Sequence, residues 1–257
     1  MKREVRRQEI MDMLVQEGSV GLETLATHFG VSRMTIHRDL DDLEQAGVLR
    51  KVRGGATIET GTQFESDFRF RERQGGAAKQ LMARAALNLV EPGATVIVND
   101  GSMAAVLGGM LVERRPLTVI TNNFAVIEAL QSERGIGLIA LGGSYSAKYN
   151  GFFGLLTEES LSRLRADVAF ISSPAVSGLV SFHMDDAVVR AKRAMMRAAS
   201  RRYLLVGHQR FGHSALHVMA ELGEFDAILT DADPGGSCLG ELREAGIELN
   251  IAGDLIQ

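Results

Sequence analysis

The sequence predicts an α/β protein in two parts, an N-terminal winged helix-turn-helix followed by a larger α/β domain with a mostly parallel sheet. Three observations lead there. Residues 31–40, VSRMTIHRDL, have the punctuation and apolar spacing of a turn entering a helix that crosses another helix. From Lys79 onward, short apolar runs alternate with helical patterns, which is how strands buried on both faces read. The chain has 257 residues with 46% hydrophobic content, more than a small winged domain needs and enough for a second core.

Taking the elements in order, residues 5–16 read as a first helix with Val5, Ile10, Met13 and Leu14 inward. Leu22, Leu25, Ala26 and Phe29 recur at helical spacing, and Gly30 follows where the chain can turn sharply. Val31, Ile36, Leu40 and Leu43 give the next helix its buried stripe. Ala26, Gly30 and Ile36 fit two crossed helices: a small residue at the contact, a flexible one in the turn and a branched one filling the gap. Ser32 is placed to cap the second helix, without a capping box because Thr35 stands three residues on. Arg33, Thr35, His37 and Arg38 project to the opposite side. A DNA major groove accepts one such helix with its N-terminal half against the bases, and Arg there can fork onto guanine. The bland alternative is an ordinary solvated helix face.

Residues 48–53 alternate like a strand, Gly54 and Gly55 permit a reversal, and Ala56, Thr57 and Ile58 return, so RKVRGGA reads as a wing. Arg50, Lys51 and Arg53 would then sit beside phosphate, which fixes register while the helix discriminates sequence. Residues 1–56 hold nine Lys or Arg and nine Asp or Glu, so bulk positive charge is not the signal. Its distribution is: the cations named above gather at the proposed DNA face, whereas Asp39, Asp41, Asp42 and Glu44 come later in the helix and are expected to face away from phosphate. A neutral module binds weakly alone, so a homodimer or homotetramer is expected.

Residues 59–76 read as a connector, polar but carrying Phe64, Phe68 and Phe70, which are expected to dock on a domain or a partner subunit. The domains are accordingly 1–58, a linker at 59–76, and 77–257 for effector binding and oligomerisation. Expected strands are 95–99, 117–121, 136–141, 167–172, 203–207, 226–231 and 248–252. Polar loops follow several of them: NDGSM, TNN at 121–123, LGGS at 141–144 and GHQRFG at 207–212. In such a sheet a ligand sits beyond the carboxyl ends of the strands, where loops and helix N-termini present N–H groups.

TIHRDL followed by RKVRGGA closely resembles the DeoR/GlpR family of bacterial transcription regulators. The similarity runs from the first helix to about Asp231. It implies a C-terminal domain related to ribose-5-phosphate isomerase that senses a phosphorylated sugar or polyol or a similar metabolite. The implied effector positions are Asn99, Asp100, Gly101, Ser102, Asn122, Gly142, Gly143, Lys192 and Arg210; Lys192 reads equally as a solvated helix residue. The chain departs from the family pattern. His37 stands where the family string TIRRDL has Arg. Asn99, Asp100, Gly101, Ser102 and Met103 replace Asp-x-Gly-Thr-Thr. Gly207 and Arg210 replace the Asp and Lys of Asp-x-Ser-Lys-Phe-Gly. The ligand is therefore an unusual phosphate ester or is not phosphorylated.

The expected function is control of a carbohydrate or polyol catabolic operon through double-stranded operator DNA, as a repressor relieved by a small-molecule effector. The alternative is a sugar-phosphate isomerase-like enzyme with an accessory DNA-binding domain. Its acid–base candidates are His183, Asp185, Asp186 and His208, of which the two Asp read better as a helix cap and first turn. No catalytic residue, cofactor or metal site is assigned, because His208 and His213 lack a nearby cysteine. Cys238 is alone, which excludes a disulfide within the chain, and no apolar run is long enough to span a membrane, so a cytoplasmic protein is expected.

Overall fold

A computed structural model of the protein describes residues 3–45, 49–57 and 68–255. The chain divides into two compact units, Met1–Gln74 and Gly75–Gln257. Val48, Ile58 and Phe64, read above as parts of the wing and connector, lie outside the described residues.

The first unit runs α1 (Arg3–Glu17), β1 (Ser19–Gly21), α2 (Leu22–Phe29), α3 (Arg33–Gln45), β2 (Arg50–Val52), β3 (Gly55–Thr57) and α4 (Phe68–Arg73). Its core is Ile10, Leu14, Leu25, Ile36 and Leu40, all fully buried, with Val20, Leu49 and Ala56. Left-handed Gly30 ends α2 in a Schellman arrangement, its N–H on Thr27 O and that of Val31 on Ala26 O. Val5 corrects the expectation, since it is 47% exposed and the inward stripe of α1 is Arg6, Ile10 and Leu14. An arginine replaces an apolar residue there because Asp39 of α3 supplies its counter-charge.

The sheet of this unit has the order β1-β3-β2, and β1 is too short to show a two-residue period in sequence. The wing turn falls at Arg53 and Gly54, the latter at φ +88°, and Gly55 is a strand residue. A Cβ at Gly55 would stand 2.2 Å from the Val20 carbonyl oxygen, so β1 and β3 pair this closely only over a glycine. In the stretch read as a connector, α4 buries Phe68 and Phe70, and Arg73 pairs with Asp12 of α1.

The second unit runs α5 (Gly76–Leu87), β4 (Thr95–Val98), α6 (Ser102–Met110), β5 (Leu117–Thr121), α7 (Phe124–Leu130), β6 (Ile136–Ala140), β7 (Ser144–Ser146), β8 (Gly151–Phe153), α8 (Leu155–Ser162), β9 (Ala166–Ser172), β10 (Ala175–Ser177), β11 (Val180–His183), α9 (Asp186–Ala198), β12 (Ala199–Leu205), β13 (His217–Glu221), β14 (Ala227–Thr230), α10 (Gly236–Glu244) and β15 (Leu249–Ile251). Seven of these strands form one parallel sheet in the order β15-β14-β12-β9-β4-β5-β6.

Successive residues of each strand point to opposite faces, and the core divides accordingly. Val96, Val98, Val119, Phe170 and Leu205 pack with α5, α6 and α7. Ile97, Ile120, Ala169, Ile171 and Leu204 pack with α8, α9 and α10, and Cys238 of α10 lies half-buried against that second cluster. Two small antiparallel sheets, β7-β8 and β10-β11-β13, complete the unit. Chain order runs outward in both directions from the neighbours β4 and β9. Their carboxyl ends are therefore the topological switch point, where the crevice of an open parallel sheet opens.

Candidate functional site

The first candidate surface is on α3. Ser32 Oγ accepts the Thr35 N–H at 3.2 Å, the predicted N-cap, and the Ser32 and Thr35 hydroxyls are 2.9 Å apart. Arg33, Met34, His37 and Arg38 are exposed and Thr35 is half-buried. Met34, His37 and Arg38 follow helical spacing and lie along one face. Sequence reasoning passed over Met34, which is 62% exposed; an apolar residue on show between cations is its signal, and apolar side chains read the thymine methyl group.

The acids of α3 are answered from inside the unit. Asp39, 1% exposed, accepts Arg6 Nε at 2.6 Å and Arg7 Nε at 3.2 Å. Asp42 pairs with Arg3 and Arg7, Asp41 pairs with the Lys51 ammonium, and Glu44 accepts the Lys51 N–H at 2.7 Å. The acids of α3 are thereby turned to α1 and the wing. Lys51 departs from expectation, because phosphate would have to compete with Asp41 for it. Arg33 pairs with Glu23, but both side chains are about two-thirds exposed and such a pair yields readily. Arg50 and Arg53 are exposed on the wing.

The second candidate lies where β4, β5 and β9 end. Asn99, Asp100, Ser102, Asn122, Asn123 and Lys192 are all buried. Asn99 ties the switch point together, accepting the Ser172 N–H at 3.0 Å and donating to Ser172 Oγ at 3.2 Å and to the Asp100 carbonyl at 2.6 Å. Asn123 donates to the Asn99 and Gly101 carbonyls at 3.2 and 3.1 Å, and its Oδ1 caps α7 by accepting from Ala125 N. The solvated-helix reading of Lys192 is corrected. Its ammonium is 2% exposed, donates to the Ser172 carbonyl at 2.8 Å and stands 3.8 Å from Asp100 Oδ1. The sequence carried a signal for this, since Val188, Ala191, Lys192 and Met195 share the buried stripe of α9.

The β7-β8 hairpin lies against these loops. Asn122 donates its amide to the Phe152 carbonyl at 2.9 Å, and its own carbonyl accepts the Phe152 N–H at 2.9 Å. Gly142 accepts the Thr157 hydroxyl at 2.6 Å, and a Cβ on Gly143, at φ +141°, would stand 2.5 Å from the Phe153 carbonyl oxygen. Packing alone therefore accounts for Gly143. Arg210 stands half-buried on the helical turn His208–Arg210 after β12, its N–H on the Gly207 carbonyl at 2.8 Å. Beside it, His208 Nδ1 and Asp231 Oδ2 are 2.8 Å apart.

The acid–base candidates of the enzyme reading have other employment. His183 Nδ1 accepts the Asp185 N–H at 3.1 Å, Asp185 caps α9 through Ala187 N and Val188 N, and Asp186 pairs with Arg190 in the first turn. Among the described residues no group of His, Cys, Asp and Glu is arranged to hold a metal ion. Among the same residues no helix is long and apolar enough to cross a membrane.

Comparison with known proteins covers both units. Residues 6–62 match the DeoR-like helix-turn-helix domain, and residues 75–232 match the DeoR C terminal sensor domain. The glycerol-3-phosphate regulon repressor of Escherichia coli (strain K12) is 28% identical over 98% of this chain and 100% of its own. The L-fucose operon activator of Haemophilus influenzae is 32% identical over 88% of this chain and 91% of its own. The transcriptional repressor GlcR of Bacillus subtilis is 30% identical over 98% and 97%. Among solved structures, ribose 5-phosphate isomerase A from Methanocaldococcus jannaschii aligns over 54% of this chain and 55% of its own, with 17% identity and a TM-score of 0.40. With a sensor-domain match over more than half its length and a helix-turn-helix match in front of it, the chain belongs to the DeoR family of transcription regulators.

Proposed function

We propose that this protein is a metabolite-responsive repressor of a carbohydrate or polyol operon. In this reading α3 enters the major groove of double-stranded operator DNA, and Met34, His37 and Arg38, with Arg33 and Thr35, meet base edges. Ser32, Arg50, Lys51 and Arg53 meet phosphate. A small carbohydrate-derived effector binds at the carboxyl ends of β4, β5 and β9, among Asn99, Asp100, Gly101, Ser102, Asn122, Gly142, Gly143, Lys192 and Arg210, and shifts operator affinity.

The observation that carries the reading is the exposed cationic face of α3, where Arg33 has, among the described residues, only its solvent-exposed pair with Glu23, while every acid of the same helix is turned to an internal partner. Relatives named as repressors support its sign of action, and one named as an activator shows that relatives differ in it. The protein acts in the cytoplasm as a homodimer or homotetramer without catalysis, because a charge-balanced module needs a second copy for useful affinity. Operator and effector binding are then linked, and a coupling of about 1–3 kcal/mol changes operator affinity roughly five- to 150-fold.

The test is fluorescence anisotropy with a fragment of the protein's own promoter. Nanomolar, salt-sensitive binding that exceeds binding to scrambled DNA is expected. Equal affinity for both fragments, or turnover of pentose phosphates without DNA binding, would overturn the reading.

A further inference from the structure

Two side-chain oxygens at the switch-point end of the sheet, Asp100 Oδ2 and Asn122 Oδ1, are buried and accept no hydrogen bond from any of the described residues. Their side chains are enclosed, with Asp100 at 1% and Asn122 at 0% exposure. Buried acceptors are rarely left without donors, so two of them on adjacent loops call for an explanation. Their directions are fixed. Asn122 commits its Nδ2 to the Phe152 carbonyl at 2.9 Å, which turns Oδ1 the other way, and Asp100 presents Oδ1 to Lys192 Nζ at 3.8 Å, which leaves Oδ2 over. The two residues meet at Gly151 of β8, where a Cβ would stand 3.5 Å from Asp100 Cβ and 3.0 Å from the Asn122 carbonyl oxygen.

The charges here cancel. Lys192 is the counter-ion of Asp100, and its ammonium also donates to the Ser172 carbonyl. A phosphate placed against these loops would meet a carboxylate whose cation is already engaged, in a site where low polarity magnifies repulsion. A hydroxyl meets neither obstacle and supplies the donor that each oxygen lacks.

We propose that the loops after β4 and β5 bind the hydroxyl-bearing end of a sugar or polyol, with hydroxyls donating to Asp100 Oδ2 and Asn122 Oδ1, and that they do not bind an anion. This rests on the reading that the effector occupies the strand ends. Both oxygens are closed to solvent, so hydroxyls reach them only as the β7-β8 hairpin, which Asn122 holds through Phe152, moves aside. A phosphate, where the effector carries one, lies at the far end of the ligand, within reach of other residues such as Arg210.

The sign of one substitution separates hydroxyl from anion. Asp100→Asn keeps the shape, removes the carboxylate and adds a donor. It should weaken a hydroxyl ligand roughly 10- to 100-fold, whereas at an anion site it would strengthen binding. The full-length protein is screened by thermal shift and then titrated with free pentoses, hexoses and their alditols, with the terminal phosphate esters of the same compounds, and with inorganic phosphate. Asn122→Ala, which leaves the Asp100–Lys192 pair in place, keeps the test open should Asp100→Asn fail to fold.

The expected result is a sugar or polyol that binds wild type and is weakened by either change, with no response to inorganic phosphate. Binding of the free compound identifies a neutral effector. Binding of the ester alone, weakened also by Arg210→Ala, puts its phosphate at the far end; both results support the proposal. Tighter or unchanged binding in Asp100→Asn, stabilisation by inorganic phosphate, or no response across the panel from protein that still binds its operator overturns it and leaves the regulator reading intact. Failure of wild type to bind operator would count instead against that reading.

Discussion

Replacing Asp39 with alanine tests how the DNA-facing helix is held in place. Asp39 is buried at the junction of α1 and α3 and answers three arginines of graded exposure. Arg6 is 10% exposed with its Nε at 2.6 Å, Arg7 is 23% exposed at 3.2 Å, and Arg3 is 55% exposed at 3.7 Å. Removing one partner of a buried ion pair costs about 3–5 kcal/mol, because the other charge stays behind in a poor medium. Asp39→Ala strands Arg6 in that way and should destabilise the first unit by about 3 kcal/mol or more. Arg6→Ala should cost roughly half as much, since Arg7 still faces the carboxylate. Arg3→Ala should fall within about 0–1 kcal/mol, the range for exposed pairs. Hydrogen exchange read by mass spectrometry resolves the two units in the intact protein. Peptides from α1 and α3 should exchange about 10²-fold faster or more in Asp39→Ala, while β4 and β9 keep their protection. A loss from Arg3→Ala as large as that from Asp39→Ala, or unchanged exchange in Asp39→Ala, would refute the reasoning.

Three further outcomes are expected. Gly55→Ala drives a methyl group into the Val20 carbonyl and should cost about 1–3 kcal/mol, with faster exchange over residues 49–57 and a shallower salt dependence of operator binding as the wing loosens. Lys192→Met leaves the Asp100 carboxylate buried without its cation and should lower the thermal transition of the second unit by the equivalent of about 3 kcal/mol. Adding Asp100→Asn should restore most of that, and absence of rescue would show that the two charges do not compensate one another. Ser32→Ala removes the acceptor for Thr35 N–H and should cost about 0.5–1 kcal/mol of α3 stability, visible as exchange in its first turn and nowhere in the second unit.

The parallel sheet was legible in sequence because its inner strands are buried on both faces, so that segments such as DVAFIS and LTVIT read as continuous apolar runs between helical patterns. The antiparallel strands β7, β8, β10, β11 and β13 were not legible. Segments such as SYS, GFF and AVS are too short to show alternation, and they fold by pairing across loops rather than by pattern. Ser32, Gly30 and Ile36 could be placed because capping and helix crossing are local. Asp39 could not, since its partners lie more than thirty residues away on α1, and the charge pattern alone presented it as one of four acids facing away from phosphate. Lys192 was undecided for the opposite reason: its charge argued for solvent while its position in the Val188–Ala191–Met195 stripe argued for burial, and Asp100 decides between them. The polar loops that build the strand-end site were visible, but the tie from Asn99 to Ser172 needs the β4–β9 neighbourhood, which only the strand order reveals.

The most direct test of the account is the affinity of Arg38→Ala for the operator and for scrambled DNA, measured side by side across a salt series. If α3 reads bases, operator affinity falls by about 1–3 kcal/mol, roughly 10- to 100-fold, while affinity for scrambled DNA changes far less. An equal loss on both fragments, or no loss on either, would contradict it.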